Sequence, residues 1–283
     1  MKKIALINDL SGFGKCSLTA AIPVVSVMGL QAVPFPTAVL SAQTGFTNYY
    51  CDDYTDRMDF FTDNWKEMDV RFDGIHSGFL ASSEQLAKVT RFLDTFQTDD
   101  TIYLADPVMG DNGERIKLFT GKLLYGMKDL CARASICTPN LTELCLLTGT
   151  DYGLLVQHMG SADYTERIAD VAYQLRGTMS QSGIVLVTGI IRCQGNQKLM
   201  GNLAVTASDC IYREKPYIPV SFSGTGDLFA AIVCSGLVKG MTIQDAMELA
   251  TSFLQPAIEE AAKEKVDSRH GIHFEKYLSL LMK

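Results

Sequence analysis

GIVLVT, residues Gly183–Thr188, carries Ile184, Val185, Leu186 and Val187 in succession with no polar residue among them. A strand with one wet face alternates apolar and polar side chains. An unbroken aliphatic run is buried on both faces, as the strands of a parallel sheet are. Working outward, Lys2–Asn8 (KKIALIN) has the same character and closes on polar residues. Gln31–Thr37, Phe72–Ser77 (FDGIHS), Thr101–Asp106 (TIYLAD) and Ser135–Thr138 read as further strands. Helical stretches fall between them: Ser17–Met28, which stops before Gly29, then Ser83–Phe96, and Leu141–Leu147 after Pro139-Asn140. This alternation predicts an α/β fold, a doubly wound and mostly parallel sheet with helices on both faces. The shorter pieces Lys198–Thr206 and Cys210–Pro216 predict local antiparallel pairing. Beyond Asp227 the chain reads as helical over Leu228–Val238, Thr242–Lys265 and Phe274–Met282, with a kink or break expected at Pro256. No internal repeat, low-complexity tract or Pro/Gly-rich linker interrupts the pattern, so a single domain over 1–283 is expected.

The bulk composition narrows the possible roles. The chain has 283 residues, 47% hydrophobic and 20% charged, the profile of a globular protein with a large core. A net charge of −7 argues against a general nucleic-acid or anionic-membrane partner. No run approaches the ~18 apolar residues of a membrane span. The apolar stretch after Met1-Lys2-Lys3 ends at Asn8-Asp9, too early for a secretion signal. The cysteines at 16, 51, 131, 137, 145, 193, 210 and 234 form no C-x-x-C pair and no zinc-type cluster. Reduced thiols and a cytoplasmic location are the expectation.

In open α/β sheets, ligands bind beyond the carboxyl ends of the strands. The residues that close the strands here are Asn8-Asp9, Thr37, Ser77-Gly78, Asp106, Thr138 and Thr188, joined by the turn Gly224-Thr225-Gly226-Asp227. That turn precedes the small apolar run Leu228-Phe229-Ala230-Ala231, so its N–H groups fall at a helix N-terminus, which favours an anion. Asp227 would repel a phosphate but could take a proton from a hydroxyl approaching one. The combination suggests phosphoryl transfer from a nucleotide to an alcohol; dipole complementation by Asp227 is the plainer reading. Asp106-Pro107-Val108-Met109-Gly110-Asp111 sets two carboxylates around a glycine, hard oxygen donors suited to Mg²⁺ or a monovalent cation, or else a solvated turn. Thr138-Pro139-Asn140-Leu141-Thr142-Glu143 offers a hydroxyl, an amide and a carboxylate; Asn140 and Glu143 also have the spacing of a helix capping box. Ser11–Ser17 (SGFGKCS) lacks the first glycine and the Ser/Thr of a P-loop, with Leu10 and Cys16 in their places. It reads as a flexible glycine loop covering a substrate, and the stretch around 110–120 is a second candidate lid. Trp65 and the four histidines form no catalytic pairing and read as structural.

Taken together, the early NDLSGFG loop, SAQTGF (41–46), SGFLAS (77–82), DPVMGD (106–111), TPNLTE (138–143) and SGTGDLFAA (223–231) resemble the pyridoxal kinase branch of the ribokinase superfamily. The resemblance spans nearly the whole chain and implies a ribokinase-like fold. It implies ATP-dependent phosphorylation of the 5′-hydroxymethyl group of pyridoxal, pyridoxine or pyridoxamine. By it Asp227 is the general base, and the N–H groups of Gly224, Thr225 and Gly226 stabilise the transferring phosphoryl group. Asp9, Gln43, Thr44 and Phe79 match the substrate pocket. Asp111, Asn140, Glu143, Thr188 and Phe222 match the ATP neighbourhood, and Asp106, Asp111, Thr138 and Glu143 the region of Mg²⁺ and a probable K⁺. A homodimer is implied as well. Asp227 after the Gly-Thr-Gly turn favours this branch over the hydroxymethylpyrimidine kinases, which typically have Cys there. SAQTGF lies between the patterns of the two branches, and Asp9 stands where many pyridoxal kinases have Ser, a feature that could favour a cationic substrate such as pyridoxamine. The alternatives are hydroxymethylpyrimidine or a sugar as acceptor, and a non-catalytic vitamer- or nucleotide-binding regulator.

Overall fold

The structure, a computed structural model, describes residues 1–117, 121–180 and 182–282. In chain order it begins with β1 (Lys3–Phe13), α1 (Ser17–Val27), β2 (Gln31–Ala42), β3 (Cys51–Asp53), α2 (Met58–Glu67), β4 (Gly74–Ser77), α3 (Ser83–Phe96) and β5 (Ile102–Ala105). A small hairpin of β6 (Gly110–Asp111) and β7 (Glu114–Arg115) follows. Next come α4 (Gly121–Arg133), β8 (Ile136–Cys137), α5 (Leu141–Thr148), α6 (Tyr152–Val156) and α7 (Tyr164–Arg176). The strands β9 (Ile184–Gln194), β10 (Gln197–Val205) and β11 (Cys210–Pro216) precede α8 (Thr225–Val238) and α9 (Ile243–Lys263). The strand order is β11-β10-β9-β8-β5-β4-β1-β2-β3. β1 runs parallel to β2 and β4, and β8 parallel to β5 and β9. The segments β9–β10–β11 and β2–β3 are antiparallel. The expected α/β class, a mostly parallel sheet with helices around it, is the one observed.

Contacts divide the chain into two compact units. The first contains Met1–Leu80, Glu84–Tyr103 and Ile218–Lys283. Its centre is β1, where Ile4–Ile7 are at most 1% exposed, together with α1 and α8. α8 is buried nearly all round, from Leu228 to Gly236, as a helix of uniformly apolar composition must be. To one side Phe35, Phe61, Trp65, Phe72, Phe92 and Phe96 form an aromatic cluster with ring centroids 4.7–6.1 Å apart. Trp65 is therefore structural. His76 on β4 is buried too, and desolvation pushes its pKa down to about 4, so it stays neutral.

The second unit contains Ala81–Ser83 and Leu104–Tyr217. Val185, Leu186 and Val187 of β9 are fully buried, as the GIVLVT run requires, and α5 and α7 pack against this strand. Beyond Thr188 the strand continues in antiparallel pairing with β10. Here Arg192 grips Glu214 with two hydrogen bonds, at 2.6 and 3.1 Å.

Three expectations are corrected. α9 has no break at Pro256: it is continuous through the proline, and its buried residues Ala246, Met247, Ala250, Phe253, Leu254, Ala257 and Ala261 keep helical spacing on both sides. Phe274–Leu281 is a 3₁₀ segment rather than an α-helix. The first part of Ser11–Ser17 is strand and not loop: Ser11 and Phe13 pair with Leu40 and Ala42 of β2, and Ser17 starts α1. Lys15, between them, is held by Glu275 at 2.8 Å. Of the second candidate lid, residues 118–120 lie outside the described residues.

Candidate active site

In the first unit, α8 begins earlier than the apolar run alone indicates, at Thr225 with Gly224 as its N-cap. Leu228 is the first residue of this turn to donate back, to the Gly224 carbonyl at 3.0 Å. The N–H groups of Thr225 and Gly226 therefore have no intrahelical acceptor, while the Asp227 N–H turns to its own carboxylate. The turn is pinned in place: the Thr225 hydroxyl donates to the Phe222 carbonyl at 3.0 Å, and Ser223 N–H donates to the Ser268 carbonyl at 2.9 Å. Gly224 has φ +82°, and a Cβ there would lie 1.8 Å from the Lys15 carbonyl oxygen, so no other residue fits. Phe222 is buried beneath the turn.

Asp227 is half-buried in the first turn of α8. Its Oδ1 accepts from Asn8 Nδ2 at 3.1 Å. Burial pushes its pKa up to about 6, the Asp9 charge adds to the rise, and the Ser17 N–H and Asn8 amide oppose it. Asp9 itself accepts the Ser11 hydroxyl at 2.8 Å and the Ser17 hydroxyl at 2.7 Å. Ser17 holds this position with φ +51°, an uncommon backbone for a residue with a side chain and one that recurs at functional sites. The Cys16 thiol is pushed up to about 12 by burial and by the charges of Asp227 and Asp9, and so remains a neutral thiol. Of the other residues read as substrate-binding, Gln43 is buried, donating to the Arg269 carbonyl at 3.0 Å and accepting from Gly45 N–H at 2.7 Å. Thr44 beside it is exposed, and Phe79 is half-buried after β4.

In the second unit the two carboxylate motifs meet. Both oxygens of Glu143, which is 4% exposed, are engaged by the backbone: Oε1 by Met109 N–H at 3.0 Å and Oε2 by Asn140 N–H at 2.8 Å. Asn140 returns the capping box through Oδ1 to Glu143 N–H at 3.0 Å and donates Nδ2 to the Gly110 carbonyl at 2.8 Å. The capping reading is therefore realised, and Glu143 also ties TPNLTE to DPVMGD. Burial raises the Glu143 carboxyl well above its ordinary pKa, reinforced by Asp106 and opposed by those N–H donors. Asp106, half-buried past β5, accepts the Thr138 hydroxyl at 3.0 Å. Asp111 is exposed on the β6–β7 hairpin, which Gly113 N–H fastens to the Thr142 hydroxyl at 2.9 Å. Thr188 bridges in register to Asn140, where the β9–β10 ladder shifts register. Among the described residues, no three His, Cys, Asp or Glu side chains form a ready metal cage. Mg²⁺ held chiefly by phosphates needs only one or two carboxylates, and the hard oxygens of Asp106 and Asp111 fit that use.

Sequence reading placed Asn8 at the ligand-binding edge but gave no role to it or to Ser17, which touch the two aspartates of the first unit. Their signal was present: Asn8 closes an apolar strand, and Ser17 lies in the same early segment as Asp9. Neither is a titratable residue, so neither was assigned a part in the chemistry.

A family model described as phosphomethylpyrimidine kinase matches residues 18–273. A crystal structure from Bacteroides thetaiotaomicron, described as a phosphomethylpyrimidine kinase in a crystal form with pyridoxal, superposes with a TM-score of 0.89 at 34% identity, covering 100% of this chain and 96% of that one. A pyridoxal kinase of Deinococcus radiodurans is 28% identical over 64% of this chain, and the match spans 60% of that protein. A hydroxymethylpyrimidine/phosphomethylpyrimidine kinase of Bacillus subtilis is 28% identical over 72% of this chain and 69% of its own length.

Proposed function

The chain belongs to the phosphomethylpyrimidine kinase family, within the pyridoxal kinase group of the ribokinase superfamily, and from that premise we propose that it transfers the γ-phosphoryl group of ATP to the 5′-hydroxymethyl group of a vitamin B6 vitamer. The observation that carries the reading is Asp227: a half-buried carboxylate with a pKa raised to about 6, set in the same helix turn as the Thr225 and Gly226 N–H groups, which have no intrahelical acceptor. A base of that pKa is ionised at neutral pH yet basic enough to take an alcohol proton as the oxygen attacks phosphorus. The N–H groups of Thr225 and Gly226, with that of Gly224, suit the charge that develops on the transferring phosphoryl group. Asp9, Gln43, Thr44 and Phe79 are assigned to the acceptor, and Asn140, Thr188 and Phe222 to ATP. Asp106 and Asp111 would hold Mg²⁺, with K⁺ near Thr138; the ion supplies charge neutralisation on the phosphates when bound. Glu143 acts by fixing the backbone of both motifs. The working protein is a cytoplasmic homodimer.

The Bacillus relative keeps hydroxymethylpyrimidine as a second acceptor. Pyridoxal, the molecule in the Bacteroides crystal form, supports the first choice. A direct comparison decides it: ADP release and product mass with MgATP and pyridoxal, pyridoxine, pyridoxamine, hydroxymethylpyrimidine or ribose. Turnover on at least one vitamer is expected, and silence on all three overturns the reading. Asp227→Ala should lower kcat by at least ~10²-fold while ATP binding persists. Near-normal turnover would remove Asp227 from its role, and a chain that binds but never turns over would be a regulator.

A further inference from the structure

The orientation of Asp227 passes through Asn8. This asparagine is 4% exposed, and its side chain lies between two groups of fixed character. Its Oδ1 accepts the backbone N–H of Asp9 at 3.0 Å. A backbone N–H can only donate, so the oxygen and nitrogen of the Asn8 amide are unambiguous. Nδ2 must therefore be the atom that reaches Asp227 Oδ1, at 3.1 Å. Two further features hold the amide there. The pairing of β1 with β2 shifts register between Asn8 and Leu10, the kind of irregularity that re-aims side chains at a strand end. On the other side, a Cβ at residue 78 would come within 2.3 Å of Asn8 Nδ2, so the absence of a side chain at Gly78 is what leaves room for the amide.

We propose that Asn8 is a positioning residue for the base, holding Asp227 Oδ1 so that Oδ2 receives the acceptor proton. In the transfer, the acceptor O–H proton passes to Oδ2 as the acceptor's own oxygen bonds to the γ-phosphorus. The bond between the γ-phosphorus and the bridging oxygen breaks, and ADP leaves with its electron pair. The inference rests on the kinase reading above. The other groups that bear on Asp227 are the Asp9 carboxylate, the neutral Cys16 thiol and the Ser17 N–H. The Ser17 N–H and the N–H of Asp227 itself are backbone donors to the same carboxylate, and Asn8 supplies the side-chain donor, the one a substitution can remove.

The test is Asn8→Leu, which keeps the shape and removes the donor, read in two ways on the full-length protein. The first readout is the titration of the Asp227 carboxyl by carbon-13 NMR without substrate, where loss of the donor should move the midpoint up by about one pH unit from about 6. The second is the pH dependence of kcat, whose acid limb should move up by the same amount while KM for ATP stays put. At pH 6 that shift alone lowers kcat about fivefold. A residue that only stabilised the fold would lower activity equally at every pH and leave the titration unchanged. Should Asn8→Leu fail to fold, Gly78→Ala displaces the same amide from outside and must shift the titration in the same direction. An unmoved midpoint in either folded variant overturns the proposal. If the wild-type chain phosphorylates no acceptor, the kinase reading fails instead, and the titration still decides the role of Asn8.

Discussion

Asp227 carries a conflict between stability and chemistry that can be measured. Its folded pKa of about 6 lies above the ordinary 3.8, so between those values the folded chain binds a proton more tightly than the unfolded one. Stability therefore falls as pH rises from about 4 to about 6 and stays lowered above that, while the ionised carboxylate that the proposed role as base requires appears over the same interval. Asp227→Asn removes the buried charge and should raise the unfolding free energy at pH 7.5 by about 1–2 kcal/mol, a value discounted because the side chain is partly solvated. Urea titrations of both proteins at pH 4 and 7.5 check this: the gain should be present at the higher pH and absent at the lower. Gly224 has no such latitude. A methyl group 1.8 Å from the Lys15 carbonyl forces the turn open, so Gly224→Ala should abolish turnover and lower Tm by several degrees. Thermal melts with parallel activity assays would show it. A Gly226→Ala control meets no protein atom and should melt near the wild type.

At the scale of elements, the aromatic cluster of the first unit joins β2, α2 and α3 through Phe35, Trp65 and Phe92. Phe92, fully buried, touches four other rings of the cluster. Phe92→Ala should cost about 3–5 kcal/mol in a urea titration, leaving the second unit's capping box intact. This cluster also shows where sequence reading stopped. β9 was legible because Val185, Leu186 and Val187 are apolar without interruption, and α3 because its period is regular. α2 was not, since MDFFTDNWKE buries only Met58 and Thr62 fully and alternates charges with aromatics. The last residues of β1, Ser11–Phe13, are polar or exposed and are made a strand by their pairing with β2, a tertiary cause that no local pattern records. At the site, titratable residues and glycines announced themselves by type and spacing. Asn8 did not, because its importance lies in which atoms face it.

Across the whole molecule, none of the eight cysteines is in a disulfide; five are buried, Cys51 and Cys210 are exposed and Cys193 lies between. Burial raises the thiol pKa of Cys16, Cys145 and Cys234, which keeps them protonated and slow to react. Thiol titration of the native protein should therefore count two to three groups quickly and all eight only in denaturant. A rapid count above three would contradict the burial pattern. The hydrogen bond between Asn8 and Asp227 joins residues 219 positions apart, and the Gly224 turn closes on Lys15 over a similar span. Synthesis proceeds from the N-terminus, so a nascent chain can complete the whole second unit and the serines around Asp9 before its base exists. The Gly224–Asp227 turn is added only in the last quarter of translation. On the proposed reading, an interrupted chain, however well its finished part folds, lacks Asp227 and transfers no phosphoryl group by this route.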